Sequence, residues 1–237
     1  METAGYATLS RQSGLMREMQ VVANNIANAA TTGYRSEGLI FSEYVKTAPG
    51  QQSMSMARAN IHNTSLEQGQ LTKTNGSFDF AIEGDAFFMV ETPQGERLTR
   101  AGAFSASAEG DLVTMDGHRV LDAGGAPVFV PTDAESVQVG TDGTISADGQ
   151  PLGQIGLFKP VEKHTMSRED GVMFRVDGDV EPALDGRILQ GFLEGSNVNA
   201  IHQVSRMIEI QRAYEMGQSF LSTEDERIRA AIKNLIK

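Results

Sequence analysis

The side chains that perform most enzymatic chemistry are sparse in this sequence. Four histidines, His62, His118, His164 and His202, lie far apart. None stands at helical spacing from a second metal ligand. Cysteine is absent, which excludes disulfides, thiolate zinc sites, iron–sulfur ligation and a cysteine nucleophile. The sequence contains no phosphate-binding glycine loop, dinucleotide fingerprint, His-Glu-x-x-His helix or Gly-x-Ser-x-Gly elbow. Asp-Gly pairs at 116, 142 and 148 lack the alternating carboxylates and closing glutamate of a calcium loop. Between extended segments they read as tight hairpin turns. The 31 acidic residues could supply the carboxylate pair of a glycosidase, but no pair is singled out. The expectation is a non-enzyme with no catalytic residue, no cofactor and no metal.

Charge is unevenly spread along the 237 residues. The total is −11, yet residues 1–60 and 197–237 each carry +1 while residues 61–196 carry −13. An acidic middle stays solvated, and near-neutral apolar ends can pack. The net charge argues against nucleic acid or an anionic membrane as partner. No apolar run approaches the ~18 residues of a membrane span, so no direct membrane insertion is expected. Met1–Gly5 lack the basic and apolar regions of a cleaved signal peptide.

Two helices must hold the ends. Leu15, Met19, Val22, Ile26 and Ala29 are spaced 4, 3, 4 and 3 apart, the pattern of a coiled-coil seam. Thr31-Thr32-Gly33-Tyr34 ends it. Asn24, Asn25 and Asn28 are poor helix formers near that end. They read either as helix-terminal polar residues or as amides that bond neighbouring helices and fix register. Toward the C-terminus, Met207, Tyr214, Leu221, Ile228 and Leu235 repeat every seven residues. Ile201, Val204 and Ile208 widen the stripe, and Asn197 or Asn199 is the candidate N-cap. The companion seam after Val204 reads Gln211, Gln218 and Asp225 before Ile232. These polar positions predict little gain from pairing the ends within one chain. The stripe is either the core of an intramolecular helical hairpin or a contact between subunits.

The middle reads as β. Phe78–Ile82 alternates, Ala86–Val90 is a short buried run, and Pro93-Gln94-Gly95 joins it to Glu96–Arg100 as a hairpin. Short strands follow near 112–113, 120–121, 128–130, 137–139 and 155–158, separated by Gly-containing turns. Residues 42–65, including Pro49-Gly50-Gln51-Gln52-Ser53, read as an irregular, extended connecting arm. The expected class is α+β, with paired N- and C-terminal coiled-coil helices and a central all-β small barrel or sandwich. Expected boundaries are 1–35 for the first helix, 36–76 for the arm, 77–190 for the β-rich domain and 191–237 for the last helix.

Several short runs, in order, resemble the bacterial flagellar rod and hook axial protein family. They are Ala23-Asn24-Asn25-Ile26-Ala27-Asn28 with Thr31-Thr32-Gly33-Tyr34-Arg35, Gln68-Gly69-Gln70-Leu71, and Asp79–Gly84 with Phe87–Val90. Thr99-Arg100-Ala101-Gly102-Ala103-Phe104 and Leu193-Glu194-Gly195-Ser196-Asn197-Val198-Asn199 follow, and Gln211-Arg212-Ala213-Tyr214-Glu215 closes the series. The Leu193–Val198 run and the chain length most resemble the proximal-rod branch, with the distal-rod branch as near alternative. The resemblance implies terminal helices lining a hollow tube, with the β-domain outside, in a rod crossing the periplasmic space. It implies as partners other proximal- and distal-rod subunits, copies of the same chain, and the type III export apparatus in transit. The expected subunit-interface residues are Leu15, Met19, Val22, Asn24, Asn25, Ile26 and Asn28 on the first helix. On the second segment they are Asn197, Ile201, Val204, Met207, Ile208, Gln211, Tyr214, Leu221 and Ile228. A monomeric stalked binding module is the competing reading from another class, and an acid-dependent hydrolase a third.

Overall fold

Apolar periodicity at the N-terminus produces helix α1, Glu2–Ala27, which stops short of the β-branched pair Thr31-Thr32 and of Gly33, whose φ is +72°. The computed structural model describes residues 2–46 and 54–235. After α1 the chain extends into β1 (Glu37–Lys46), which pairs antiparallel with β2 (Met54–Thr64) and bulges between Ile40 and Phe41. The sequence reads here as an irregular arm, whereas the described part is a regular two-stranded ribbon. Both strands lie against α1, so tertiary contact overrides the weak β signal of a Ser-, Asn- and Glu-containing stretch. Residues 47–53, including Pro49 to Ser53, lie outside the described residues.

The next strands are short. They are β3 (Leu71–Lys73), β4 (Phe80–Glu83), β5 (Phe87–Thr92), β6 (Gly95–Thr99), β7 (Phe104–Ala106), β8 (Leu112–Thr114) and β9 (Arg119–Val120). Then come β10 (Val137–Val139), β11 (Thr144–Ala147), β12 (Gln150–Gln154), β13 (Leu157–Pro160) and β14 (Met166–Asp170). Finally β15 (Met173–Val176), β16 (Val180–Pro182), β17 (Arg187–Gln190) and β18 (Phe192–Glu194) lead to helix α2, Ala200–Leu235. The chain divides into two compact units. One comprises Met1–Ala27, Glu37–Ser65 and Asn199–Lys237, and the other Asn28–Ser36 and Leu66–Val198.

Within the second unit, a nine-stranded sheet runs β14-β15-β6-β5-β9-β8-β7, with β13 bridging β5 and β16. Strand β5 is its centre and is buried on both faces. Phe88 and Val90 point into one core with Phe80, Ile82, Leu112, Val120, Ile145 and Ile188. Phe87 and Met89 point the other way, into a core with Leu98, Leu121, Phe158 and Phe174. That two-sided burial explains why residues 86–90 read as a continuous apolar run rather than an alternating one. The class is α+β, as expected, but no closed barrel forms among the described residues. Strands β14 and β7 end the large sheet, and β10–β12, β4 with β17, and β3 with β18 form separate ladders. Closure needs every strand paired on both edges with a continuous stagger, which strands of two to six residues here do not sustain.

One close approach fixes how the sheets meet. Phe80 N donates to Gly102 O at 2.9 Å, and a Cβ built on Gly102 would lie 1.7 Å from Phe80 O. Gly102→Ala should therefore destabilise the β-rich unit by about 3 kcal/mol or more. Gly153→Ala, where an added Cβ meets nothing within 4 Å, should change stability by no more than about 0.5 kcal/mol. Equilibrium denaturation of the two variants against the parent measures both.

Candidate assembly surface and buried ion cluster

Four of the sequence motifs converge on one carboxylate. Glu194, at the end of β18, is 1% exposed, and so is Arg35, while Arg100 is 2% exposed. Arg35 Nη2 lies 2.8 Å from Glu194 Oε1, and Arg100 Nη1 lies 3.1 Å from Oε2. Arg35 also donates to Glu67 O, and Arg100 Nη2 to Gly84 O at 2.5 Å. Gly69 N donates to Oε1 at 2.9 Å, and Gly33 N to Glu194 O at 2.8 Å. Two guanidiniums thus share one carboxylate out of water; among the described residues Arg35 Nε and Arg100 Nε find no hydrogen-bond acceptor, and Arg35 Nη2 meets Glu194 as an ion pair without hydrogen-bond geometry. Burial pushes the Arg100 guanidinium down to about 10, against the opposing pull of Glu194 and with the help of Arg35. A buried cluster of this kind specifies geometry more than it adds stability.

Backbone close to the cluster leaves no room for side chains. A Cβ on Gly69 would lie 2.0 Å from Gly195 O, and one on Gly33 would lie 2.3 Å from Ala101 N. Asn197 completes the junction. Its Oδ1 accepts from Ser36 N at 2.6 Å, and its Nδ2 donates to Glu67 O at 2.8 Å. Arg168 lies over the rings of Tyr34, at 4.3 Å, and Phe174, at 4.8 Å, and donates to Arg35 O.

The other unit contains the helices. Asn25 meets Gln203, Glu18 meets Arg206, and Gln12 Nε2 donates to Tyr214 O at 3.3 Å. Residue numbers fall along α1 as they rise along α2, so the helices run antiparallel. Their apolar contact is Leu15, Met19, Val22 and Ile26 against Met207, Ile210, Ala213 and Tyr214. Ile210 is 1% exposed. The Arg206 guanidinium is held above its usual range, first by its hydrogen bond to Glu18.

The sequence places the companion seam of α2 one residue too late. Apart from Ala213, the less exposed positions are Gln203, Met207, Ile210, Tyr214, Gly217, Leu221 and Glu224, spaced 4, 3, 4, 3, 4 and 3. The seam partner of Met207 is Ile210, and Gln211, Gln218 and Asp225 face outward. The pairing therefore buries fewer polar groups than the sequence reading anticipates. Gly217 lets α1 come close, since a Cβ there would sit 3.1 Å from Gln12 Nε2.

The expected interface residues separate into three groups. Leu15, Met19, Val22, Ile26, Met207 and Tyr214 meet within the chain, in the helix–helix cluster. Asn25 is 1% exposed and holds the chain after the helix, donating to Glu37 O at 2.7 Å and accepting from Glu37 N at 3.0 Å. Asn28 accepts from Thr31 in the turn after α1. Asn197 belongs to the ion-cluster junction rather than to a helix seam. The N-cap of α2 is Asn199, whose Oδ1 accepts from His202 N at 3.0 Å. Asn24, Ile201, Val204, Ile208, Gln211 and Ile228 are exposed, and Leu221 is half-buried; the side chain of Leu235 lies outside the described set. Arg35, Arg100 and Glu194 sit in the motifs but escape a sequence search for chemistry, because no spacing links positions 35, 100 and 194.

Asn25→Ala should cost about 1–3 kcal/mol, because it removes the two hydrogen bonds by which the buried Asn25 amide holds the main chain of the half-buried Glu37. Ile210→Ala should cost about 2–5 kcal/mol by emptying the seam. Denaturant titration of each variant, followed by helical circular dichroism, tests both values.

Comparison with known proteins agrees with this arrangement of motifs. Residues 6–35 match the family described as Flagella basal body rod protein. Residues 81–147 match the Flagellar hook protein FlgE/F/G D1 domain. Residues 189–234 match the Flagellar basal body rod FlgEFG protein C-terminal family. The chain is 38% identical to the flagellar basal-body rod protein FlgF of Caulobacter vibrioides, over 100% of this chain and 99% of that protein. It is 32% identical to FlgG of Agrobacterium fabrum, covering 92% and 93% of the two chains. It is 30% identical to FlgF of Escherichia coli, covering 95% of each. With motifs, their spatial convergence and full-length similarity in agreement, the chain belongs to the flagellar basal-body rod protein family.

Proposed function

We propose that the chain is a structural subunit of the flagellar basal-body rod that polymerises through its terminal helices into the tubular shaft that transmits torque. The observation that carries this reading is a second apolar face on α2. Ile208 precedes the buried Ile210 by two positions, which is about 200° around a helix. It forms a bare ridge with Ile201 and Val204, which are 82% and 46% exposed. On α1, Leu9 and Met16 are similarly bare, and they line an open groove with Tyr214. A helix apolar on opposite sides over the same turns needs a partner on each side, and α1 supplies one.

The seam also outruns its partner. Helix α2 has 36 residues and α1 has 26, so α2 is longer by roughly 15 Å at 1.5 Å per residue. Ile228 and Ile232 on that excess are each 50% exposed. Different patches on the two helices make a heterologous contact, the kind that propagates into open helical polymers. In this reading α1 and α2 form an antiparallel coiled-coil pair that packs against pairs from neighbouring copies and other rod subunits. Export by the flagellar type III apparatus and a periplasmic position belong to the same reading. The 38% identity to FlgF of Caulobacter vibrioides, against 32% to FlgG of Agrobacterium fabrum, supports the proximal rather than the distal rod.

Ile208→Asp separates assembly from folding, because the side chain is 45% exposed in the single chain. The variant should keep the parent's thermal midpoint and helical signal. In cells where it is the sole copy, rods and motility should be lost, because a charge buried without a partner costs several kcal/mol. Normal motility with intact rods in that strain contradicts the proposed face.

A further inference from the structure

We infer that Glu194 is a late-arriving counter-ion that makes closure of the β-rich unit conditional on the segment immediately before α2. Among the described residues, it is the one carboxylate within ion-pair distance of Arg35 or Arg100. Arg100 precedes it by 94 residues, and Arg35 lies earlier still. The other groups in direct contact with the two guanidiniums are backbone carbonyls and an aromatic ring, while the Asp85 carboxylate acts on Arg100 only from beyond ion-pair distance. Glu67 O, Gly84 O and Ile82 O accept from them, and Phe87 lies 5.0 Å from the Arg100 guanidinium carbon. Carbonyls and a ring do not neutralise two buried charges.

The ladders point the same way. Among the described residues, strand β4, which carries Phe80 and Ile82 of the larger core, pairs as a ladder only with β17, and β3 only with β18. Until residues 187–195 are in place, the Phe80–Ile82 backbone lacks its sheet partner and both arginines face burial unpaired. Removing the carboxylate from such a cluster is strongly destabilising, whereas replacing the whole cluster with apolar residues is often neutral or better. The cluster therefore acts as a completeness check. A chain that has not brought its C-terminal segment into place keeps residues 33–35, 69–71 and 80–102 open, because water solvates the arginines better than a carboxylate-free interior does.

The test uses the full chain. On refolding from denaturant, pulsed amide exchange of the parent should show β4, β5 and β6 gaining protection in the same kinetic phase as β17 and β18. Protection of β4–β6 in an earlier phase overturns the inference. Glu194→Gln keeps an acceptor for Gly69 N but removes the charge, and it should lower native-state protection across β4–β6 at least a hundredfold. Protection equal to the parent's also overturns the inference. The triple variant Arg35→Met, Glu194→Leu, Arg100→Met should recover protection to within tenfold of the parent and let β5–β6 protect before β17–β18. If the triple variant fails to fold, the pulsed experiment on the parent decides alone.

Discussion

The constraint on which the β-rich unit depends is a single carboxylate shared between two arginines that water does not reach. Glu194 binds Arg35 and Arg100, accepts from Gly69 N through its side chain, and accepts from Gly33 N through its main chain. Three chain segments, 33–35, 69 and 100, distant in sequence from one another and from Glu194, are thereby held within hydrogen-bond distance of one residue. The glycines at 33 and 69 follow from this, and Gly102 follows from the approach of Phe80. Each stands where a Cβ would run into backbone, at 2.3, 2.0 and 1.7 Å respectively. Net positive charge buried at this point stabilises the fold less than an apolar core would, so its value is in specifying which segments meet. That property suits a protein whose β-rich unit is built from strands of only two to six residues, too short to fix their own partners.

The helical unit rests on a different device. Antiparallel packing of α1 and α2 uses a narrow seam, with Ile210 at its centre and Glu18–Arg206 at its margin. The rest of the circumference of α2 is not polar all round. Ile201, Val204 and Ile208 remain bare, although exposing them in a lone chain brings no gain. Among the described residues, α1 covers the Ile210 side of α2 and leaves the Ile208 side exposed.

Much of the fold was legible in the sequence, for physical reasons that differ by element. The helices were legible because a seven-residue apolar repeat has few other readings. The β-run at 86–90 was legible because burial on both faces makes it continuously apolar. The β1–β2 ribbon was not, since its regularity comes from contact with α1 rather than from its own alternation. The α2 seam was half legible. Met207, Tyr214 and Leu221 mark one heptad position, but the exposed Ile201, Val204 and Ile208 draw the companion toward the register of Val204 and Gln211, one residue past Ile210. The 3–4 alternation through Ile210 and Gly217 carries the true companion, but glycine has no side chain to mark its place in the seam. The ion cluster was the least legible feature. Arg35, Arg100 and Glu194 each lie inside a recognisable motif, yet only the folded chain brings positions 35, 100 and 194 together.

The central claim is that the bare face of α2 is covered in the assembled rod. The chain has no cysteine, so a single introduced thiol reports one position. Ile208→Cys should react with maleimide in the isolated chain and at least tenfold more slowly in purified basal bodies. Gln150→Cys, on an exposed strand of the β-rich unit, should react equally in both and control for access. Equal labelling of Ile208→Cys in the free chain and in basal bodies would contradict the account.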